Sequence, residues 1–319
     1  MSFRLRVCLL ATLAGLCACA SAPVQWPPPE EPPEPPPARE INAIARPDAA
    51  HSVAIVGATL VDGRGGPPVR DAVVVVRGDR VVAAGARGAT DVPAGAEVVS
   101  GAGLSVLPGL IDAHFHLDGD DGLPGLFLQR GVTSLRAPGQ WVEAYDAARR
   151  PGPVPRLFLA GPLLDGPARA RPESAMRVRD AAAPPLALVE RRAGGDGATE
   201  AQVLGFENRR RPAGAARRAG VRVVVGSHDT APRAERGWAY QRELELLVES
   251  GLSPMEVLVA GTLENARFLG IDDRLGSIQP GKLADLVLIE GDPLADIRAM
   301  RRVKQVMLNG RWVAAPGGD

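Results

Sequence analysis

Two histidines one residue apart, His114 and His116, close the run Leu107-Pro-Gly-Leu-Ile-Asp-Ala-His-Phe-His-Leu. The apolar stretch leading into them, Leu104 to Ile111, predicts a buried strand. Side chains on a strand alternate with period two, so both imidazoles leave the strand end on the same side. Neutral imidazole is a zinc ligand, and two on one side at the C-terminal end of a buried parallel strand make half of a metal site. The remainder of the site must come from elsewhere in the chain. Between His116 and His228 there is no histidine and no lysine, and both lysines, Lys282 and Lys304, lie later still. All three cysteines, Cys8, Cys17 and Cys19, fall in the first nineteen residues, which excludes a cysteine-rich metal site and a disulfide framework in the remainder.

The elements that must hold these histidines are legible as short runs. Val53–Val61, Ala72–Arg77 and Arg80–Gly85 are β-branched segments separated by Gly, Pro and Asp turns, the pattern of a small antiparallel unit. The end of the chain repeats it in Ala284–Ile289 and Val303–Val313, with Asn309-Gly310 as a hairpin turn. Neither set is sufficient alone, so the two ends of the chain are expected to co-assemble. Between them, predicted strands at Ser105–Ile111, Gly131–Arg136, Pro155–Gly161 and Val221–Gly226 are interspersed with helical segments. A helix-compatible stretch covers Leu123–Arg130, and two helices follow the last strand. The second opens on the capping box Ser253-Pro254-Met255-Glu256 and stops at Gly270. Strands alternating with helices imply an α/β fold with a parallel sheet.

The chain has 319 residues and zero net charge, with no basic stripe, so a nucleic-acid surface is not expected. Arg4 and Arg6 precede the apolar run Val7–Leu16, which is too short to span a bilayer permanently. The segment ends in Leu16-Cys17-Ala18-Cys19, which resembles a bacterial lipoprotein signal with Cys19 as the acylated residue. Residues 23–37 are dominated by proline and read as a stiff polyproline II spacer, on the order of 45 Å long at ~3.1 Å per residue. The expected organisation is a signal over 1–19, a linker over 20–51, a composite β-sandwich from 52–104 plus 275–319, and an alternating strand–helix unit over 105–274. The expected location is an exported, membrane-anchored lipoprotein of the bacterial periplasm or outer membrane.

Four motifs in order carry a family resemblance. Gly57-Ala-Thr-Leu-Val-Asp-Gly, Pro108-Gly-Leu-Ile-Asp-Ala-His-Phe-His, Gly226-Ser-His-Asp and Gly276-Ser-Ile-Gln-Pro-Gly-Lys-Leu-Ala-Asp-Leu-Val-Leu resemble the amidohydrolase superfamily, nearest its imidazolonepropionase-like and prolidase-like branches. The resemblance implies a (β/α)8 TIM-type barrel with a flanking β-sandwich. It also implies hydrolysis of a C–N bond, in a small amide or dipeptide-like substrate, by a metal-activated water. His114 and His116 would be ligands to a single Zn2+ or other divalent ion. Asp229 would be the eighth-strand carboxylate, both ligand and general acid/base. Aligned without a gap, however, His228 takes that position, and alternation lets only one of the two reach the metal; Asp229 is preferred because a carboxylate can do both jobs.

Two departures from the family accompany these motifs. Only segments resembling strands one, two, three and eight are present, with about forty residues where four strand–helix units of roughly thirty residues each belong. The family's fourth-strand lysine or glutamate and its fifth- and sixth-strand histidines have no clear counterparts, which leaves Asp165, Glu190 and Glu207 as weaker substitute ligands. The expected fold is therefore an incomplete barrel whose outer sheet edges are unpaired and open to self-association. The alternative to an enzyme is a catalytically decayed lipoprotein of the same fold, acting as a binding or structural module.

Overall fold

The β-branched runs at the N-terminal end form strands in the register their alternation implies. β1 (Ser52–Leu60), β2 (Val69–Arg77) and β3 (Arg80–Ala86) are successive antiparallel neighbours, with Ile55 opposite Val74. The computed structural model describes residues 37–117, 119–149, 152–165, 175–177, 217, 220–228, 231 and 234–313. The leader, residues 20–36 of the linker, and Glu190, Glu207 and Asp229 lie outside the described residues. Two further strands, β4 (Glu97–Ser100) and β5 (Leu104–Pro108), pair in parallel with successive stretches of β1.

The run Leu104–Ile111 is not one strand. It divides at Gly109 into β5 and a three-residue β6 (Leu110–Asp112), which belong to different sheets. The Gly109 N–H bonds to Asp285 O at 2.7 Å, whereas the next N–H, that of Leu110, bonds to Gly131 O at 2.9 Å. A Cβ on residue 109 would lie 2.2 Å from the Thr133 hydroxyl oxygen, so only glycine allows the chain through this gap. Apolar composition stays continuous across the break, which is why periodicity reads it as a single strand.

Beyond β6, helix α1 (Leu123–Gln129) leads to β7 (Val132–Gly139), and β8 (Arg156–Asp165) follows. β6, β7 and β8 form a parallel sheet, extended at the far end of β8 by the short β9 (Ala175–Arg177). Residues 221–227, expected as a strand, join no ladder: Val225 O accepts the Ala113 N–H at 3.0 Å, and Val221 and Val224 are exposed. β6 is too short to pair along the whole segment. Helix α2 (Ala239–Glu249) comes next. The capping box then forms as expected, with Ser253 accepting from Glu256 N–H and the Glu256 carboxylate accepting from Ser253 N–H. It opens α3 (Pro254–Val259), which runs through a π-helical turn, Ala260–Glu264, into α4 (Asn265–Phe268). Gly270, at φ 65°, ends it.

The last strands are β10 (Leu286–Glu290), β11 (Val303–Leu308) and β12 (Arg311–Val313). Asn309 and Gly310 both have positive φ, 54° and 77°, as a tight hairpin turn requires. β10 pairs antiparallel with β5, so the two ends of the chain share one eight-stranded mixed sheet in the order β12-β11-β10-β5-β1-β2-β3, with β4 also on β1. Ile55, Val74 and Val106 from its N-terminal part share a core with Leu286, Leu288 and Met307 from its C-terminal part. Among the described residues the parallel sheet stays open rather than closing into a barrel. No helix of the described residues is long and apolar enough to cross a membrane.

A buried ion cluster joins the two sheets. Arg156 of β8, only 3% exposed, donates through Nε and Nη2 to the two Asp285 oxygens at 2.8 and 3.1 Å, and through Nη2 to Asn309 Oδ1 at 2.8 Å. Its Nη1 reaches Glu40 at 3.1 Å. Glu40 sits in a docked strap over residues 38–42: Ala38 N–H bonds to Leu269 O, Ile41 N–H to Leu157 O, and Glu40 bridges antiparallel to Phe158. The strap therefore packs on β8 although the composition of 20–51 reads as linker.

Candidate metal centre

His114 and His116 lie just past β6, where the chain has left the ladder but keeps its alternation. Phe115 between them is fully buried, and its ring meets Phe127 of α1 edge-on with centroids 5.0 Å apart. Anchoring the middle residue in the core under α1 sends both histidines to the opposite face. There their Nε2 atoms approach to 3.1 Å. Two nitrogens bound to one tetrahedral zinc at ~2.0–2.1 Å each stand roughly 3.3 Å apart, so this spacing suits a shared ion.

His228 completes the cluster. One ring nitrogen from each of His114, His116 and His228 lies within 4.8 Å of the others, and the His228 ring centroid is 4.5 Å from that of His114 and 4.4 Å from that of His116. Its backbone is held by the bond from His228 N–H to His114 O at 2.6 Å. His228 has φ 59°, a left-handed conformation that costs a non-glycine residue about 1 kcal/mol or more. That turn takes the chain out of strand alternation, so alternation does not limit the site to one of His228 and Asp229. Asp165 is the last residue of β8, where its backbone pairs with Arg177 of β9, and its side chain lies outside the described part of the structure.

Behind the histidines, Asp112 holds the two chain segments together. It is fully buried and accepts from His114 N–H and Ser227 N–H at 3.0 Å each, and from the Ser227 hydroxyl at 2.5 Å. Burial pushes its carboxyl up to about 7, against the lowering effect of those hydrogen bonds. A second brace comes from the C-terminal helices. The buried Asn265 amide donates to Ile111 O and to Val225 O and accepts from Val225 N–H at 2.9 Å, standing in for the strand that 221–227 lacks on that side. Tyr240 O–H donates to Ile111 O at 2.8 Å and to Gly261 O, in the π-helical turn, at 3.0 Å. Widened turns of this kind recur at functional sites because they release backbone carbonyls for other partners. Neither Asn265 nor Tyr240 carries a sequence signal: each is one polar residue in an amphipathic helix.

Arg136 of β7 also belongs to this face. Its neighbours Leu135 and Ala137 enter the core under α1, whereas Arg136 stands opposite Phe158. The guanidinium donates to Ala113 O at 3.2 Å and lies 5.4 Å from the ring centroid of Phe268. Burial lowers its pKa.

Three imidazole nitrogens this close together form a donor set that can hold a divalent metal ion. Comparison with known proteins agrees with this geometry. Residues 191–313 match the model of the amidohydrolase family. A stretch of 115 residues is 36% identical to N-acyl-D-aspartate deacylase of Alcaligenes xylosoxydans xylosoxydans, covering 34% of this chain and 22% of that protein. The curated relatives it matches are longer proteins, of which the matched segments span 11% to 25%. Among solved structures, A. niger ochratoxinase aligns with TM-score 0.64 at 17% identity over 85% of this chain and 97% of that one. A Xaa-Pro dipeptidase with bound methionine in its active site aligns with TM-score 0.61 at 16% identity over 82% and 99%. The chain has the amidohydrolase-superfamily fold, and among the described residues the parallel sheet is left open where a barrel would close.

Proposed function

We propose that this protein is a metal-dependent hydrolase that cleaves the C–N bond of a small amide or dipeptide-like substrate. The convergence of His114, His116 and His228 carries this reading. Those three rings would hold a single zinc ion, which when bound lowers the pKa of a water toward about 7 and polarises the scissile carbonyl. Asp112 and Asn265 fix the backbone on which His114 and His228 stand, so the rings do not have to be ordered when the substrate arrives. Asp229, next in sequence to His228, is assigned as the general acid/base. It takes a proton as water oxygen adds to the carbonyl carbon and returns it to the nitrogen as the C–N bond breaks. Anchoring through an acylated Cys19, export, and self-association along sheet edges belong to the same proposal.

The test is zinc stoichiometry by elemental analysis, followed by hydrolysis of a panel of N-acyl amino acids and dipeptides. One zinc per chain with turnover, both lost in His114→Ala, is the expected result. Less than a tenth of an equivalent of zinc, unaltered by His114→Ala, overturns it. Full zinc with no turnover favours the binding module, a reading supported by the missing barrel strands.

A further inference from the structure

The face that carries the three histidines also carries a cation to which the proposed chemistry gives no task. The register of β7 on β8 pairs Leu135 with Leu157 and Arg136 with Phe158. Leu135 and Leu157 both enter the core under α1, so Arg136 and Phe158 point away from it. Phe115 enters that same core, so His114 and His116 point away from it too. Arg136 and the histidines therefore share one side of the parallel sheet. They are also close along the backbone, because the Arg136 guanidinium donates to the carbonyl of Ala113, the residue before His114.

Arg136 has five N–H donors in a fixed fork. Among the described residues they make one hydrogen bond, to Ala113 O, and no ion pair; the other partner is the half-exposed Phe268 ring. Nearby arginines differ. Arg156, Arg236, Arg242 and Arg301 each hold a carboxylate within 3.1 Å. An arginine set over an aromatic ring with most of its fork uncommitted matches the planar, two-oxygen geometry of a carboxylate.

We infer that Arg136 is a specificity residue that binds a carboxylate on the substrate, so that the hydrolase takes N-acyl amino acids or dipeptides and discriminates against their uncharged amides. The inference rests on the functional reading above, but it concerns the protein's own cation and can be tested apart from the metal. The amide carbonyl goes toward the histidines and the carboxylate toward β7.

The experiment measures binding of N-acetyl-L-alanine and of N-acetyl-L-alaninamide to the full chain by calorimetry, in metal-free and zinc-loaded protein. The expected result is about tenfold or greater preference for the acid in both forms, as a hydrogen-bonded charge pair supplies. Arg136→Gln brings the two ligands to parity without altering zinc stoichiometry. Arg136→Lys keeps the charge but loses the fork, and so retains only a fraction of the preference; it serves as the readout if the glutamine variant does not fold. No preference in the metal-free wild type, or a preference that survives either substitution unchanged, overturns the inference. Acid preference only with zinc present also overturns it, since the carboxylate then sits on the metal. Zinc stoichiometry reports on the functional reading by itself. A chain that binds no zinc yet prefers the acid through Arg136 retires the hydrolase and keeps the carboxylate site.

Discussion

Asn265→Ala is the most revealing perturbation of the site, because Asn265 is not one of the three clustered histidines and acts through backbone groups. Its amide meets three backbone groups: Ile111 O, Val225 O and Val225 N–H. Two of these keep another partner in the variant. Ile111 O still accepts from Tyr240, and Val225 O still accepts from Ala113 N–H. Val225 N–H loses its partner in a position that is 1% exposed. Stranding that donor costs about 1–3 kcal/mol, and the two lost hydrogen bonds to carbonyls about 1 kcal/mol each at most. The total, about 1–5 kcal/mol, is a large fraction of the ~5–15 kcal/mol that holds a domain folded. The loss falls on the segment that delivers His228, so zinc affinity should drop by about tenfold or more, as when the support of a ligand is removed. Urea unfolding monitored by circular dichroism gives the first number, and competition with a zinc-binding dye gives the second. Asn265→Asp is the control: it keeps an acceptor for Val225 N–H but sets a carboxylate against two carbonyl oxygens, and should be no better than alanine. Stability within about 0.5 kcal/mol of wild type, with unchanged zinc affinity, would show that 221–228 is held by something other than this amide.

Other expectations follow from the same structure. Arg156→Met leaves the buried Asp285 carboxylate without its cation, whereas Glu40 keeps Arg274 at 3.6 Å, and should cost about 3–5 kcal/mol in urea unfolding; Arg156→Lys recovers only part. Gly109→Ala drives a methyl into Thr133 and should destabilise by about 1–3 kcal/mol, with Thr133→Ala in the same chain restoring most of it. Glu243 gives a pH dependence. Burial pushes its carboxyl up to about 7 from an ordinary 4.5, so the fold favours its neutral form. Its contribution is fully present below pH 4.5 and is lost as pH rises through 7. Glu243→Gln should therefore match wild type near pH 4 and exceed it at pH 8 by at most about 3 kcal/mol, read from thermal melts at both values. A variant that is less stable than wild type at pH 8 contradicts this assignment.

Much of this arrangement is legible in the residues alone, for identifiable reasons. His114 and His116 stand out because period-two spacing after an apolar run has a direct spatial meaning, and the structure keeps them on one side. The hairpin at Asn309-Gly310 and the capping box at Ser253 are local chemistry and form where expected. What escapes sequence reading is set by distant contacts. The break at Gly109 is invisible because both halves of the run are equally apolar, and what separates them is Thr133 on another strand. Residues 221–227 have the composition of a strand but lack a partner along most of their length, a property of the neighbours rather than of the segment. His228 and Asp229 could not be ranked by alternation because His228 adopts a left-handed backbone. Asn265 and Arg136 are single polar residues in ordinary elements, and their meaning appears only when the carbonyls they reach are known.

The bond from Ser227 to Asp112 joins residues 115 apart in the chain, and it is what holds the third histidine against the first two. Closing a loop of that length costs about 4 kcal/mol of chain entropy beyond a fixed constant. The first two histidines, by contrast, come with their strand as soon as it pairs. The three rings are therefore assembled only once this long loop has closed. A metal ion that needed all three would bind the closed form alone, because before closure the chain offers it two ligands.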